Sequence, residues 1–161
     1  MKKVGDYIVY RRDVCKITNI KDINNNKYYV LEPLRDKSLH IDVPVDNKLG
    51  LIKELITKEE IDKLIKNIPN IEIVDDDDRK IEMRYKELLD SGTHEDLIKV
   101  IKTAYIRNKN RKKTNKKISE RDTKYFNLAE EYLYSEIGIV LNITFDEVKD
   151  YIISKITKDN L

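Results

Sequence analysis

The first fifty residues carry apolar positions at the spacing of short β-strands. Runs rich in β-branched and aromatic residues, each bounded by polar or turn-forming residues, cover 7–10, 14–20, 27–31 and 38–43. Asn24-Asn25-Asn26-Lys27 separates the second run from the third, and asparagine tolerates the left-handed backbone that a tight turn requires. Four or five short strands in this length predict a small curled sheet or barrel.

Beyond about residue 57 the apolar positions recur with the period of amphipathic helices. Thr57-Lys58-Glu59-Glu60 and Thr144-Phe145-Asp146-Glu147 both have the capping-box pattern, in which two side chains satisfy each other's free backbone donors at a helix start. Thr93 and Ser119 each precede an acidic residue by three positions, as N-cap residues do. About five helices joined by short links predict a compact bundle.

Together these patterns predict an α+β chain of two domains, a β domain over 1–54 and a helical domain over 55–161. With 161 residues, 40% of them hydrophobic, the chain can supply two small cores. No apolar run approaches the roughly 20 residues that span a bilayer, and the N-terminus begins a strand pattern rather than a signal peptide. We therefore expect a soluble, cytoplasmic monomer.

Charge is distributed unevenly along the chain, although its net value is only +2. Residues 99–124, here called the basic segment, contain eleven Lys and Arg against two Asp and Glu. Most of the acidic residues that balance this charge lie in other parts of the sequence. A short basic run on its own could be explained as a loop that increases solubility. A basic run whose balancing acids lie in other segments is typical of a surface that contacts a polyanion. In and around the helix–helix connection predicted over 109–117, the candidate phosphate-contacting residues are Arg107, Lys109, Arg111, Lys112, Lys113, Lys116 and Lys117.

Equipment for catalysis or for metal binding is not evident in the sequence. The single cysteine, Cys15, lies in an apolar alternation that predicts a small buried hydrophobe. His40 and His94 are far apart and belong to no metal-ligand or triad motif. The four aspartates at 75–78 are better explained by a solvated linker before a helix than by a Mg²⁺ site. We expect no enzyme activity, no metal and no cofactor.

Several motifs follow one another in a particular order. The β half contains Val4-Gly5-Asp6-Tyr7, Tyr28-Tyr29-Val30-Leu31 and Val43-Pro44-Val45-Asp46-Asn47. The helical half contains Arg84-Tyr85-Lys86, Ser91-Gly92, a helix ending at Arg107, and Ile118-Ser119 followed by Ala129 and Glu136. Over roughly residues 3–138 this order and spacing resemble the CarD/CdnL family of bacterial transcription regulators.

The resemblance implies a Tudor-like, SH3-like N-terminal barrel that docks on the β subunit of RNA polymerase. It further implies a helical domain that contacts promoter DNA at the upstream edge of the melted bubble, in a protein that is not an enzyme and that changes the lifetime of the open complex. By match to the family's motifs, Arg84, Lys86 and Lys124 are further candidate DNA contacts. An exposed sheet edge is the expected polymerase-docking element, with Lys21, Ile41, Asp42 and Pro44 as its candidates.

The chain departs from the family pattern at three places. Tyr10-Arg11-Arg12-Asp13-Val14 is one residue shorter than the usual Tyr-Pro-x-His-Gly segment, and Asp42 occupies a position where some members have arginine. Ile81 replaces the family's signature tryptophan, a wedge against a minor-groove base. Ile81 is a candidate aliphatic wedge, but it shares a helical face with Tyr85, which favours a core position. We expect contact with DNA to depend more on charge than on a wedge.

Three hypotheses follow from these patterns. The first is a bridge between RNA polymerase and promoter DNA that reads no base sequence. The second is a protein-only module whose helical half binds a protein partner; the missing tryptophan supports it and the basic segment opposes it. The third is a nuclease or hydrolase whose acidic residues only the fold would bring together.

Overall fold

The computed structural model describes the backbone of residues 1–159 and the side chains of residues 1–156. It is a mixed α+β structure that divides into two compact units, Met1–Ile56 and Thr57–Leu161, here called the β unit and the helical unit. The division falls where the first predicted capping box begins. Within the described part of the chain, no helix has both the length and the apolar composition needed to cross a membrane.

The β unit consists of β1 (Tyr7–Tyr10), β2 (Asp13–Ile23), β3 (Asn26–Pro33), β4 (Ile41–Pro44) and β5 (Ile52–Lys53). All pairings are antiparallel, in the order β4-β3-β2-β1-β5. Strands β4 and β5 therefore form the two edges of an open sheet. Strand pairing does not close the sheet into a barrel.

Local sequence signals explain most of the strand boundaries. Asn24 and Asn25 adopt φ angles of 52° and 66°, so the predicted left-handed turn is confirmed and β2 and β3 pair right up to it. β4 begins three residues later than predicted, because the Asp36 side chain accepts a hydrogen bond from the Ser38 backbone at 3.0 Å and holds a turn before it. The short β5 is positioned by the Asn47 amide, which exchanges two 2.9 Å hydrogen bonds with the backbone of Ile52.

One face of the sheet carries the core of the β unit, formed by Ile8, Cys15, Ile17, Tyr29, Leu31 and Val43. Cys15 is fully buried, so the prediction of a buried hydrophobe is confirmed. Burial raises the pKa of its thiol to about 12. The thiol therefore stays protonated and unreactive at neutral pH.

The helical unit consists of α1 (Lys58–Asn67), α2 (Ile81–Ser91), α3 (His94–Lys113), α4 (Glu120–Leu141) and α5 (Phe145–Asp159). A 3₁₀ turn, Ile68–Asn70, follows α1. The capping box at Thr57 is confirmed, because Glu60 N donates to its hydroxyl at 3.1 Å and its own N–H donates to the Glu60 carboxylate at 3.2 Å. The caps predicted at Thr93, Ser119 and Thr144 are also present. Gly92, at φ 72°, adopts the left-handed conformation that ends α2.

The third helix is longer than predicted. A helix ending at Arg107 and a basic connection over 109–117 were expected, but α3 continues to Lys113. Lysine and arginine are good helix formers, and cations in the last turn interact favourably with the partial negative charge at the helix C-terminus. The helix ends only where Asn115 turns left-handed, at φ 56°. Residues 109–113 of the predicted connection are therefore helix rather than loop.

Candidate nucleic-acid interface

The segment that joins α1 to α2, residues 68–80, contains the four aspartates at 75–78 and is here called the acidic segment. It is held against α3 by hydrogen bonds. Lys102 Nζ donates to the backbone carbonyls of Ile68 and Ile71 at 2.8 and 2.6 Å. Val74 N donates to the buried hydroxyl of Thr103 at 3.0 Å. Side chains of α3 thus provide hydrogen-bond partners for backbone groups of this irregular segment.

Arg107 continues this attachment and forms the centre of a partly buried polar cluster. Its Nε lies 3.2 Å from Asp122 Oδ2, its second terminal nitrogen pairs with Asp78, and the first donates to the Asp76 carbonyl at 3.4 Å. Asp122 is fully buried and also accepts a 2.9 Å hydrogen bond from the Tyr85 hydroxyl. Burial and this bond to Asp122 raise the pKa of Tyr85. We assign Arg107, which is 18% exposed, to the interior rather than to DNA.

Asp78 collects further positive charge from the basic segment. Arg111 lies 3.5 Å and Arg121 4.0 Å from its carboxylate, in addition to Arg107. The hydrogen bond from Arg107 holds the pKa of Asp78 below its usual value. Asp78, which lies outside this segment in the sequence, is therefore adjacent to three of its arginines in space.

The lysines of the same segment differ from its arginines. Lys109, Lys112, Lys113, Lys116 and Lys117, here called the lysine cluster, are exposed. Among the ion pairs of the described residues, none includes a member of this cluster. Five exposed lysines thus lie in the last two turns of α3 and the loop after it, where their ammonium groups could contact phosphates.

The three candidates matched by motif outside this segment are exposed but engaged in weak surface contacts. Arg84 lies 3.5 Å from Glu87, and Lys86 lies 3.8 Å from Glu82. Lys124 Nζ lies 5.4 Å from the ring centroid of the next residue. Exposed pairs of this kind contribute about 0–1 kcal/mol, so a phosphate could replace them at little cost.

Ile81 is not available as a wedge. Its side chain is 0% exposed, on the face of α2 that also buries Tyr85 and Leu89 one and two turns later. The core position favoured by the helical period is confirmed. Because insertion between bases would require α2 to unpack, we remove Ile81 from the candidate interface.

The four polymerase-docking candidates lie together in the β unit. Ile41, Asp42 and Pro44 belong to the edge strand β4, where Asp42 and Pro44 are exposed and Ile41 is half-buried. Lys21 on β2 reaches Asp42 at 3.5 Å. β4 pairs only with β3 among the described strands, so its outer backbone edge is free for another strand. Beside it, a cavity of about 490 Å³ includes Tyr28, Pro44 and the exposed Leu49 in its lining.

One feature of the helical unit was missed at the sequence level. A groove of about 430 Å³ lies between α3 and α4, with Tyr105, Ile118 and Phe126 among its apolar lining and Lys109 and Lys112 at its rim. Part of the signal was present in the sequence, because Tyr105 and Ile118 lie within the most basic segment and Phe126 lies two residues after it. Alternating basic and aromatic residues are typical of surfaces that bind single-stranded nucleic acids.

Comparison with known proteins adds no identification: no protein-family model matches the chain, and no curated protein matches it at a significant level. The described residues contain no group of three or more His, Cys, Asp or Glu placed to hold a metal ion.

Proposed function

We propose that the protein is a CarD/CdnL-like regulator that binds the β subunit of RNA polymerase and promoter DNA near the upstream edge of the bubble. In this proposal it alters the lifetime of the open complex and has no catalytic role. The β unit acts as a Tudor-like docking domain and the helical unit as the DNA-contacting domain. The meander order of the sheet, in which the last strand returns to the first, and the bulge between Ile17 and Asn19 support a small, strongly curved sheet of this kind.

The lysine cluster is the observation that carries the proposal. Its members are exposed and make no ion pair among the described residues; three lie near the end of α3, which the Arg107 contacts attach to its neighbours, and Lys116 and Lys117 lie in the loop that follows. A group of exposed ammonium groups binds phosphates by charge, with release of counterions from DNA. Such contacts position a protein on a duplex and carry no sequence information. The contact with DNA is accordingly proposed to be backbone-directed and sensitive to salt.

The free edge of β4 supports docking on a protein. An incoming strand would find unpaired backbone groups along β4, with Asp42 and Pro44 beside them and Lys21 close by. The apolar cavity around Tyr28 and Leu49 extends this surface. Strand addition supplies affinity through the backbone, and the flanking side chains supply selectivity.

A protein-only interaction module is the second candidate. The internal pairing of Arg107, Arg111 and Arg121 favours it, because these arginines contribute less to an external field than their number implies. The two candidates differ over the lysine cluster, which matters in the first and is irrelevant in the second.

The deciding experiment is the lifetime of the open complex formed by the cognate RNA polymerase, measured with heparin as a trap. Wild type is compared with a Lys113→Gln/Lys116→Gln/Lys117→Gln variant. The matched control is Lys58→Gln/Lys63→Gln/Lys66→Gln, which removes the same charge from exposed positions of α1. We expect a changed lifetime with wild type and with the control, and a smaller change with the cluster variant. An unaltered lifetime despite polymerase binding would favour the protein-only module.

A further inference from the structure

The groove between α3 and α4 combines exposed aromatic surface with two lysines that make no ion pair among the described residues. Tyr105 is 57% exposed and Ile118 is 42% exposed, although both are large apolar groups in the most basic part of the chain. Together with Phe126 they line a concave surface of about 430 Å³, within the roughly 300–1,000 Å³ of typical ligand pockets. Lys109 and Lys112 stand at its rim one turn apart.

The groove is preformed. Asn108 Nδ2 donates to Thr123 Oγ1 at 3.2 Å, and Asn108 Oδ1 accepts from the Ser119 backbone N–H at 2.9 Å. These bonds connect α3 to the first turn of α4 and fix the walls of the groove relative to each other. A ligand would therefore meet a surface that needs little ordering on binding.

We propose that this groove binds an unpaired base of a single-stranded nucleic acid. The base would pack against Tyr105, with Phe126 and Ile118 lining the groove beside it, and the flanking phosphates would contact Lys109 and Lys112. The chemistry of the groove matches a base, because stacking on an aromatic ring needs no hydrogen bond and every base has a π-face. An extended peptide fits less well, since its backbone needs several polar partners and, of the two asparagine amides in the lining, that of Asn108 is already engaged.

This inference goes beyond the proposed function, which requires contacts to the duplex backbone only. The two share Lys109 and Lys112, but the base contact depends on Tyr105, which the duplex contact does not use. The inference thus predicts a higher affinity for a single strand than for a duplex of equal length. Substitutions in the groove should abolish this difference in affinity.

The test is fluorescence anisotropy of a labelled twelve-nucleotide oligothymidylate, compared with a labelled twelve-base-pair duplex. Tyr105→Ala should weaken binding of the single strand by about tenfold and leave duplex binding unchanged. Tyr105→Phe, which keeps the ring, should retain the affinity for the single strand. The control is Met83→Ala, because Met83 is an exposed apolar residue on α2, outside the groove. Equal losses for single strand and duplex, or no loss for either, would overturn the inference.

A second measurement reports from the groove itself. The chain contains no tryptophan, so a Tyr105→Trp variant would have a single indole, located in the groove. Base stacking would be supported if the oligothymidylate quenches the indole emission and the midpoint concentration of quenching equals the midpoint concentration of binding measured by anisotropy. If polyglutamate at equal charge competes as well as the single strand, the groove recognises charge alone and the inference fails.

The inference and the proposed function fail separately. Lys113→Gln/Lys116→Gln/Lys117→Gln leaves the groove lining unchanged, and under the proposed function it weakens duplex binding. Loss of the Tyr105 effect with duplex binding still dependent on these lysines would remove the base site and leave the proposed function standing. If Tyr105→Ala weakens binding of the single strand but the three lysine substitutions do not weaken duplex binding, the proposed duplex contact is wrong and the base site stands.

Discussion

The arginines and the lysines of the basic segment lie only a few residues apart and differ in environment. Arg107 is mostly buried, and together with Arg111 and Arg121 it surrounds Asp78. The lysine cluster is exposed and makes no ion pair among the described residues. The planar guanidinium suits several simultaneous hydrogen bonds in a partly buried site, whereas the ammonium group is strongly hydrated and stays in water.

This difference shows that charge counted along a sequence overstates the charge that a partner meets. The arginines serve mainly to attach the acidic segment to α3, and the lysines provide the field outside the molecule. The predictions below test this division of roles, starting with the largest expected effect.

Removing the buried acid should damage the helical unit most. Asp122→Ala leaves Arg107 and the Tyr85 hydroxyl without their buried partner, and breaking a buried pair in this way costs about 3–5 kcal/mol. The free energy of unfolding, followed by circular dichroism in urea, measures the effect. Lys113→Gln is the control and should change stability by less than about 0.5 kcal/mol. A loss below about 1 kcal/mol for Asp122→Ala would show that the cluster is not structural.

Replacing the central arginine by lysine should separate its shape from its charge. Arg107→Lys retains the positive charge but cannot reach Asp122, Asp78 and the Asp76 carbonyl together. We expect a loss of about 1–3 kcal/mol in the free energy of unfolding and no change in duplex affinity measured well below the unfolding midpoint. The reverse exchange, Lys113→Arg, should alter neither quantity. A stable Arg107→Lys variant with weakened DNA binding would reverse the roles assigned here.

Acid should weaken the attachment at Asp78. Its pKa is lowered in the folded protein by the hydrogen bond from Arg107, so its stabilising effect is complete above the unfolded value of about 3.9. That effect is lost as the pH falls through the lower folded value. Asp78→Asn should therefore be less stable than wild type at pH 7, and the difference should vanish at strongly acidic pH. Unfolding curves measured from pH 7 to pH 2 test this, and a difference independent of pH would contradict it.

In the β unit, charge reversal at an exposed edge should affect binding rather than stability. Asp42→Arg removes only a surface pair with Lys21, so stability should change by less than about 1 kcal/mol. If β4 docks on RNA polymerase, the reversed charge should weaken binding to the isolated β subunit severalfold, measured by biolayer interferometry. Asp22→Arg, at an exposed position on β2, is the control. Equal binding by wild type and Asp42→Arg would exclude this position from the interface.

Features that depend on neighbours in sequence could be predicted well. The capping boxes, the asparagine turn and the burial of Cys15 and Ile81 follow from short motifs or from a simple period. The end of α3 was placed too early because residues 107–113 contain no apolar residue, so the periodic pattern that reveals a helix stops before the helix does.

The acidic neighbours of the basic segment could not be predicted, because their contacts span long sequence separations. Asp78 lies 29 residues before Arg107, and no local signal links the two. The same reason hid the groove, since Tyr105 on α3 and Phe126 on α4 line it from two different helices. Charge segregation along a chain therefore identifies a candidate surface, and only the fold shows which of its charges are free.

The central claim is that the lysine cluster supplies the phosphate contacts. Its most direct test is the slope of log Kd against log salt concentration for duplex promoter DNA. Loss of three phosphate contacts in Lys113→Gln/Lys116→Gln/Lys117→Gln should reduce the slope by about 2.7, at roughly 0.9 per contact. The Lys58→Gln/Lys63→Gln/Lys66→Gln control should keep the wild-type slope. An equal slope in wild type and the cluster variant would contradict the account.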